Sequence, residues 1–452
     1  VAGAGLPSEP AYAAIVQSSI SCGVLRGIEL AAARDVPEVL AAVRVASDDT
    51  IDFVGQPLGL IVARSREAAL LAVQRCVVSY ESRPAVLTTA AALPSAQVPT
   101  VSTEAAPFQL ERGNAEAAIV ESQTRLGAQA AILRQTYRTA PEPLLDAPSP
   151  LYAELVAVAE RAAQRKVTLV QQHPVLRPET IQTLTLEAGR DGRLRALVHN
   201  VLSETAMRAE YVEPCGILSA HLYHVDNLRI AHKLVRKNIA PRGGAEGQGR
   251  GTLPGLFALE SALDELAHLL RLDPLRLRQL NHAEQDQATQ KPWTAKRLRE
   301  CYRVGAERIG WTARQPEPRT LREGAAYVGL GMASTMSTPQ PGPGGTQTAL
   351  FGAQFTRVSV DEKSGAARVL RHVTVLDAGP SEKLLEAAKD GVAYALRTLF
   401  SDGNQAAPAV EVLMLEQDAS SASPSFSAAQ VRDVAASGVA AAVTSALHNA
   451  SG

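Results

Sequence analysis

Residues 53–81, FVGQPLGLIVARSREAALLAVQRCVVSYE, decide how the chain begins to fold. A glycine-bearing turn opens onto the unbroken apolar run LGLIVA, which reads as a strand buried on both faces. Ser65 then stands where a helix N-cap belongs, and Ala68, Leu71, Ala72 and Cys76 keep helical spacing behind it. VVSYE returns as a strand, so the stretch is strand, helix, strand. Upstream, residues 13–19 and 23–28 are strand-like, and DVPEVL at 35–40 reads as an acid-capped helical turn.

Beyond residue 84 the sequence loses charge and periodicity until about residue 109, the signature of a crossing segment. A strand is expected to end at Ala140, and the Pro-rich APEPLLDAPSP then interrupts regular structure. Residues 151–164 form an amphipathic helix followed by the strand KVTLVQQ. Residues 180–204 read as a hairpin turning at Gly189 to Gly192. LPGLFALESALDELAHLLR, residues 253–271, is the strongest helix, core-facing through Leu259, Leu263, Leu266, Leu269 and Leu270, and Asp273 with Pro274 caps the next one. Residues 336–347 are a loop, two strands flank the DEKSG turn, and an apolar helix ends the sequence.

The 452 residues suffice for two or three domains. Forty-five basic against 46 acidic residues give a net charge of −1, which removes the field that nucleic acid or an anionic membrane surface recruits. Aromatic residues at 4 % leave no stacking platform for single strands. With no apolar run of membrane length and no basic, apolar leader, the expected location is the cytoplasm, or the periplasm if a signal was removed. Cys22, Cys76, Cys215 and Cys301 form no C-x-x-C pair and read as buried thiols. His221 and His224 lack an acid at the zincin position and read as ordinary histidines, so no metal ligand is assigned.

One segment invites chemistry. APRGGAEGQGRGTLPG, residues 240–255, delivers the strongest helix from a glycine-dense loop, which is either an exposed turn or an anion cradle with Arg242 and Arg250 supplying charge.

The order of these segments resembles the molybdopterin-binding large subunits of the molybdenum hydroxylases, which include xanthine dehydrogenase and aldehyde oxidoreductase. The likeness is carried by residues 53–87, QTYRTA, the block RPETIQTLTLEAGRDGRLRALVHNVLSET, YVEPCG, HKLVR, the helices of residues 255–284 and FGAQFTRVSVDEKSGAARVLRHVTVLDAG. It implies an α+β fold, with a small α/β hammerhead domain over residues 1–95 and a linker over 96–110. A shortened two-lobed molybdopterin-binding-like body follows over 111–335 and 336–452.

The resemblance also implies losses. The glycine- and glutamine-rich cofactor loops expected between Pro150 and Leu151, and between Met332 and Thr346, are absent. Asp433 stands where the family carries its catalytic glutamate, and residues 240–251 rewrite its arginine loop. The expectation drawn from this is a chain without cofactor, repurposed as a cyclase, isomerase or lyase acting on a small organic molecule. Asp433 and Glu246 would then be general acid/base groups, with Arg242 or Arg250 orienting the ligand; Asp433 reads equally as a helix cap ahead of Ser437. The alternatives are a molybdenum-dependent aldehyde or heterocycle oxidoreductase subunit, working with iron–sulfur and flavin subunits, and a non-catalytic scaffold of such a complex. Self-association is a further possible partnership.

Overall fold

The computed structural model describes residues 9–100, 108–126, 130–144, 150–170, 174–243, 252–400, 407–416 and 425–452. Arg242 and Asp433 fall within them; Glu246 and Arg250 lie outside.

In the first unit, the strand Pro57–Ala63 lies between Ala11–Gln17 and Val39–Arg44, antiparallel to both. Gly23–Glu29 pairs with Thr50–Ile51 and Val77–Ser82 in a second small sheet. The helix Arg66–Gln74 is capped by the Ser65 side chain, which accepts from the Ala68 amide. It buries Ala68, Ala69 and Ala72 against the face carrying Ala14, Val16, Ile61 and Ala63. Leu71, expected inside, is half exposed, because the alanine stripe alone meets the sheet. The helical turn expected at 35–40 is displaced: a 3-10 turn, Ala31–Asp35, ends there and Val36 is extended. Pro37 accounts for this, since a residue preceding proline is pushed out of the helical region.

The opposite face of this sheet is closed by chain from much further on. The helix Pro150–Ala163 lays Leu155 and Ala159 over Ala13, Ile15, Leu60 and Val62, and Val167–Leu169 joins the sheet parallel to Ala11–Gln17. A sheet with two apolar faces needs two covers, and the sequence reading did not anticipate this return.

Two five-stranded sheets form the body. The first runs Gln109–Arg112, Asn227–Lys237, Leu194–Ala206, Thr180–Gly189, Ala130–Thr139; the second runs Arg322–Glu323, Ala326–Met336, Phe351–Asp361, Ala367–Leu376, Ala409–Met414. Both are antiparallel apart from one parallel pair each. The helix Thr252–Leu270 is buried as expected, although Leu269 faces outward. Its Glu260, with no solvent exposure, accepts from Arg278 Nε at 2.8 Å, the Ser334 amide at 2.7 Å and the Tyr223 hydroxyl at 2.6 Å. One carboxylate thereby joins the first lobe, the central helix and the second sheet.

The C-terminal helix Val439–Ser451 crosses Ala326–Met336 where that strand carries Gly329 and Gly331. A Cβ on Gly331 would stand 2.2 Å from the Ala446 amide nitrogen. Among the described residues the four cysteines are free, with Cys22 and Cys76 only partly buried, and no helix is long and apolar enough to cross a membrane. Gly331→Ala is expected to cost about 3 kcal/mol, because backbone and not a movable side chain occupies the space. Leu71→Ala should stay within about 0.5 kcal/mol. Urea denaturation of both variants measures the difference.

Candidate functional site

The glycine-dense segment leaves the first lobe at Arg242 and Gly243, which pair with Leu176, and chain is described again at Thr252, where the central helix begins. Beside that helix start lies a cavity of about 270 Å³. Its walls are apolar at Leu253, Phe257, Ala395, Leu399 and Ala440, and polar at Arg138, Glu142, Arg177 and Thr398.

Behind the polar wall is a cluster of four cations and four carboxylates. Arg177, 2 % exposed, donates from Nη1 to Glu213 Oε1 at 2.9 Å and lies 3.7 Å from Glu142 Oε2. Tyr211 donates to Glu213 and Tyr394 to Glu142. Burial works against the Arg177 charge, but Glu213 and Glu142 outweigh it and hold the guanidinium protonated above its ordinary range. Nearby, Glu204 takes both Lys237 and Arg242, the latter at 2.8 Å. Glu179 accepts from Thr89 and Arg138. Burial pushes the Glu179 carboxyl up, and the hydrogen bonds from Thr89 and Arg138, with Lys237 beside it, more than reverse that. Breaking one such buried pair leaves an uncompensated charge, at a cost of about 3–5 kcal/mol.

Because this cluster is balanced, attraction for a ligand comes from its edges. Arg138 is 64 % exposed and touches both Glu179 and the cavity. The 19-residue helix presents its N-terminal end, with its partial positive charge, to the same space. Thr252 is almost fully buried, and its Oγ1 has no hydrogen-bond partner. A buried hydroxyl left so costs about 1–3 kcal/mol; Thr252 is not itself on the cavity lining, which begins at Leu253.

The sequence-assigned residues are not all gathered here. Arg242 is engaged with Glu204 and is not a free cation. Asp433 lies inside the helix Ala428–Ser437, which Ser427 caps in a capping box with Gln430. It does not line this cavity, so it is neither the cap of that helix nor the cavity's acid. The carboxylate on the wall is Glu142. Glu142, Arg177 and Arg138 escaped the sequence reading because their partners stand tens of residues away. The placement of Glu142 in a Pro-rich stretch and of Arg177 in the family block was the only signal. His221 is buried against Asp286 Oδ1, His224 is exposed, and no cluster of three or more metal-ligating side chains exists among the described residues.

Residues 148–282 match the sequence model of the molybdopterin cofactor-binding domain family. The molybdenum-binding subunit PaoC of Escherichia coli aldehyde oxidoreductase is 33 % identical over 189 residues, covering 40 % of this chain and 25 % of that subunit. A putative xanthine dehydrogenase molybdenum-binding subunit of E. coli, XdhA, is 29 % identical over 197 residues, covering 41 % and 26 %. The match thus spans about a quarter of the length of these curated relatives.

Among solved structures, aldehyde oxidoreductase from Desulfovibrio gigas superposes with a TM-score of 0.74 at 13 % identity, over 98 % of this chain and 75 % of that one. Quinoline 2-oxidoreductase from Pseudomonas putida 86 gives 0.73 at 14 %, over 98 % and 92 %. The chain thus shares the α+β fold of these solved oxidoreductases, and its segment 148–282 is similar to a molybdopterin cofactor-binding domain.

This corrects the expectation of a chain without cofactor. That expectation weighed missing loops, whereas the matched segment belongs to a cofactor-binding domain. A helix end that attracts anions is made by the backbone and needs no particular loop sequence. The helix N-terminus and the half-exposed Arg138 on the cavity wall are the features that suit the anionic end of such a cofactor.

Buried histidines support this region. His199, beneath the helix start, contacts Gln182, which donates to the Pro254 carbonyl. Desolvation lowers His199 to about 3, His232 to about 4 and His372 to about 3. Each binds a proton in the unfolded chain below about pH 6.5 but not in the folded one. Stability is therefore full above pH 6.5 and falls as pH drops from there toward 4, by about 1.4 kcal/mol per pH unit per histidine. Urea midpoints measured between pH 7.5 and 5 are expected to fall, with a shallower slope in His372→Asn.

Proposed function

We propose that this chain serves as the molybdopterin-binding subunit of an oxidoreductase acting on an aldehyde or an N-heterocycle, in company with iron–sulfur and flavin subunits. The observation that carries this reading is the N-terminal end of the helix Thr252–Leu270 opening onto a cavity that Arg138 also lines, inside the segment matched to the cofactor-binding family. The names of the relatives supply the substrate class: aldehyde oxidoreductase, xanthine dehydrogenase and quinoline 2-oxidoreductase.

When bound, the molybdenum cofactor supplies the redox centre that accepts the electron pair from the substrate. The chain's own residues do the rest. The first amides of the helix would hold the anionic end, and Arg138 adds a positive charge at the rim. Leu253, Phe257 and Leu399 exclude water from the cavity, which strengthens every polar contact within it. Glu142, steadied by the Tyr394 hydroxyl on Oε1 and Arg177 near Oε2, is the proton acceptor on the wall.

Expression in a host that makes molybdopterin, followed by elemental analysis for molybdenum and fluorescence of the released, oxidised pterin, tests this. The expected result is near one of each per chain. Arg138→Ala should weaken retention about tenfold, the loss of one charge-assisted hydrogen bond. Folded protein free of both metal and pterin would overturn the proposal.

A further inference from the structure

A second cavity lies on the same helix as the first. A space of about 610 Å³ lies along the outward face of the same helix, between the edge strand Ala130–Thr139 and the C-terminal helix Val439–Ser451. It is a half-open cleft within the size range of small-molecule sites.

Its lining has a definite chemistry. Phe257 and Tyr137 meet edge to face, with centroids 6.0 Å apart, and Leu133 and Pro316 continue the apolar surface. Flat aromatic and proline surfaces favour a planar guest. The polar groups on the lining are of both kinds, with His268 and His448 edge to face among them. The Ser261 Oγ on this wall is buried and has no hydrogen-bond partner. A helical serine with nothing to bond to, facing a cavity, lacks an acceptor or donor that a guest can supply.

The charges exclude two ligand classes. Asp264 is already paired with Arg278 at 2.7 Å, which leaves Arg314 and Glu265 as the opposed charges on the lining. Arg314 spends its Nε on the Leu330 carbonyl and lies over the Trp311 ring. Glu265 Oε1 accepts the Tyr137 hydroxyl. An anion meets Glu265 and a cation meets Arg314, so neither is favoured. A neutral molecule with a donor edge and an acceptor edge satisfies both.

From this geometry we infer that the cavity is a second binding site, separate from the cofactor cavity, for an uncharged planar heteroaromatic molecule carrying both a hydrogen-bond donor and an acceptor. The site does not depend on the proposed oxidoreductase activity. It is connected to the first cavity through Phe257, which lines both.

Benzimidazole, uncharged at about pH 8 and bearing one N–H and one acceptor nitrogen, is the probe. Titration calorimetry on the purified chain is expected to give saturable binding of one molecule. Ser261→Leu, which fills the space, should weaken it at least about tenfold, and Gln135→Ala, an exposed change on the edge strand, should weaken it by a smaller factor. Arg138→Ala, on the other cavity, should leave it unchanged, and benzoate should bind at least about tenfold more weakly than benzimidazole. Absence of saturable binding, or binding untouched by both Ser261→Leu and Gln135→Ala, overturns the site. Loss of binding in Arg138→Ala would put the probe in the cofactor cavity and overturn it equally. Benzoate binding as tightly as benzimidazole overturns the ligand class. None of these readouts uses molybdenum content or turnover, so failure here and failure of the proposed function are separable.

Discussion

A carboxylate without solvent contact, Glu260, governs how the two lobes meet. Enclosed on a helix packed against both large sheets, it has to find its partners inside the protein, and it finds Arg278, Tyr223 and the Ser334 backbone. Such a network is costly if any member is missing, so it fixes a single arrangement of first lobe, helix and second sheet. The helix start is thereby held beside Arg138 and Arg177, and its outward face beside the C-terminal helix. Both cavities are consequences of where this one helix is pinned.

The buried charges near the helix start illustrate how a site can be strongly ionic and still electrically quiet. Four cations and four carboxylates cancel at close range, which leaves the helix end and the exposed side of Arg138 as the features a bound anion would feel. Rigidity and attraction are thus assigned to different groups. Arg177 and Glu204 hold the walls, and the backbone of the helix presents the charge.

Local signals were enough for most elements. Ser65 caps its helix, Asp273 caps the next with Pro274 behind it, the hairpin turns at Gly189 to Gly192, and residues 253–271 are the buried helix that their leucines announce. What local pattern does not hold is distance. The return of residues 150–169 to close the first sheet depends on which apolar face remains uncovered, and no window of sequence contains that information. The site was legible only at its loop: Glu142 and Arg177 matter through neighbours far away in the chain. Asp433 was assigned by counting back from a shared helix, which preserves order but not direction in space. The inference that missing loops meant a missing cofactor failed for the same reason, since it read absence from segments and gave no weight to the scaffold between them.

The central claim is that the start of the helix Thr252–Leu270 receives a molybdenum cofactor. Its most direct test is a crystal of the chain produced with the cofactor available, measured on both sides of the molybdenum absorption edge. An anomalous peak in the cavity bounded by Arg138, Glu142, Thr398 and Leu253 is the result the account requires. A well-ordered crystal of protein from that preparation with no peak there, or with its peak elsewhere in the chain, would contradict it.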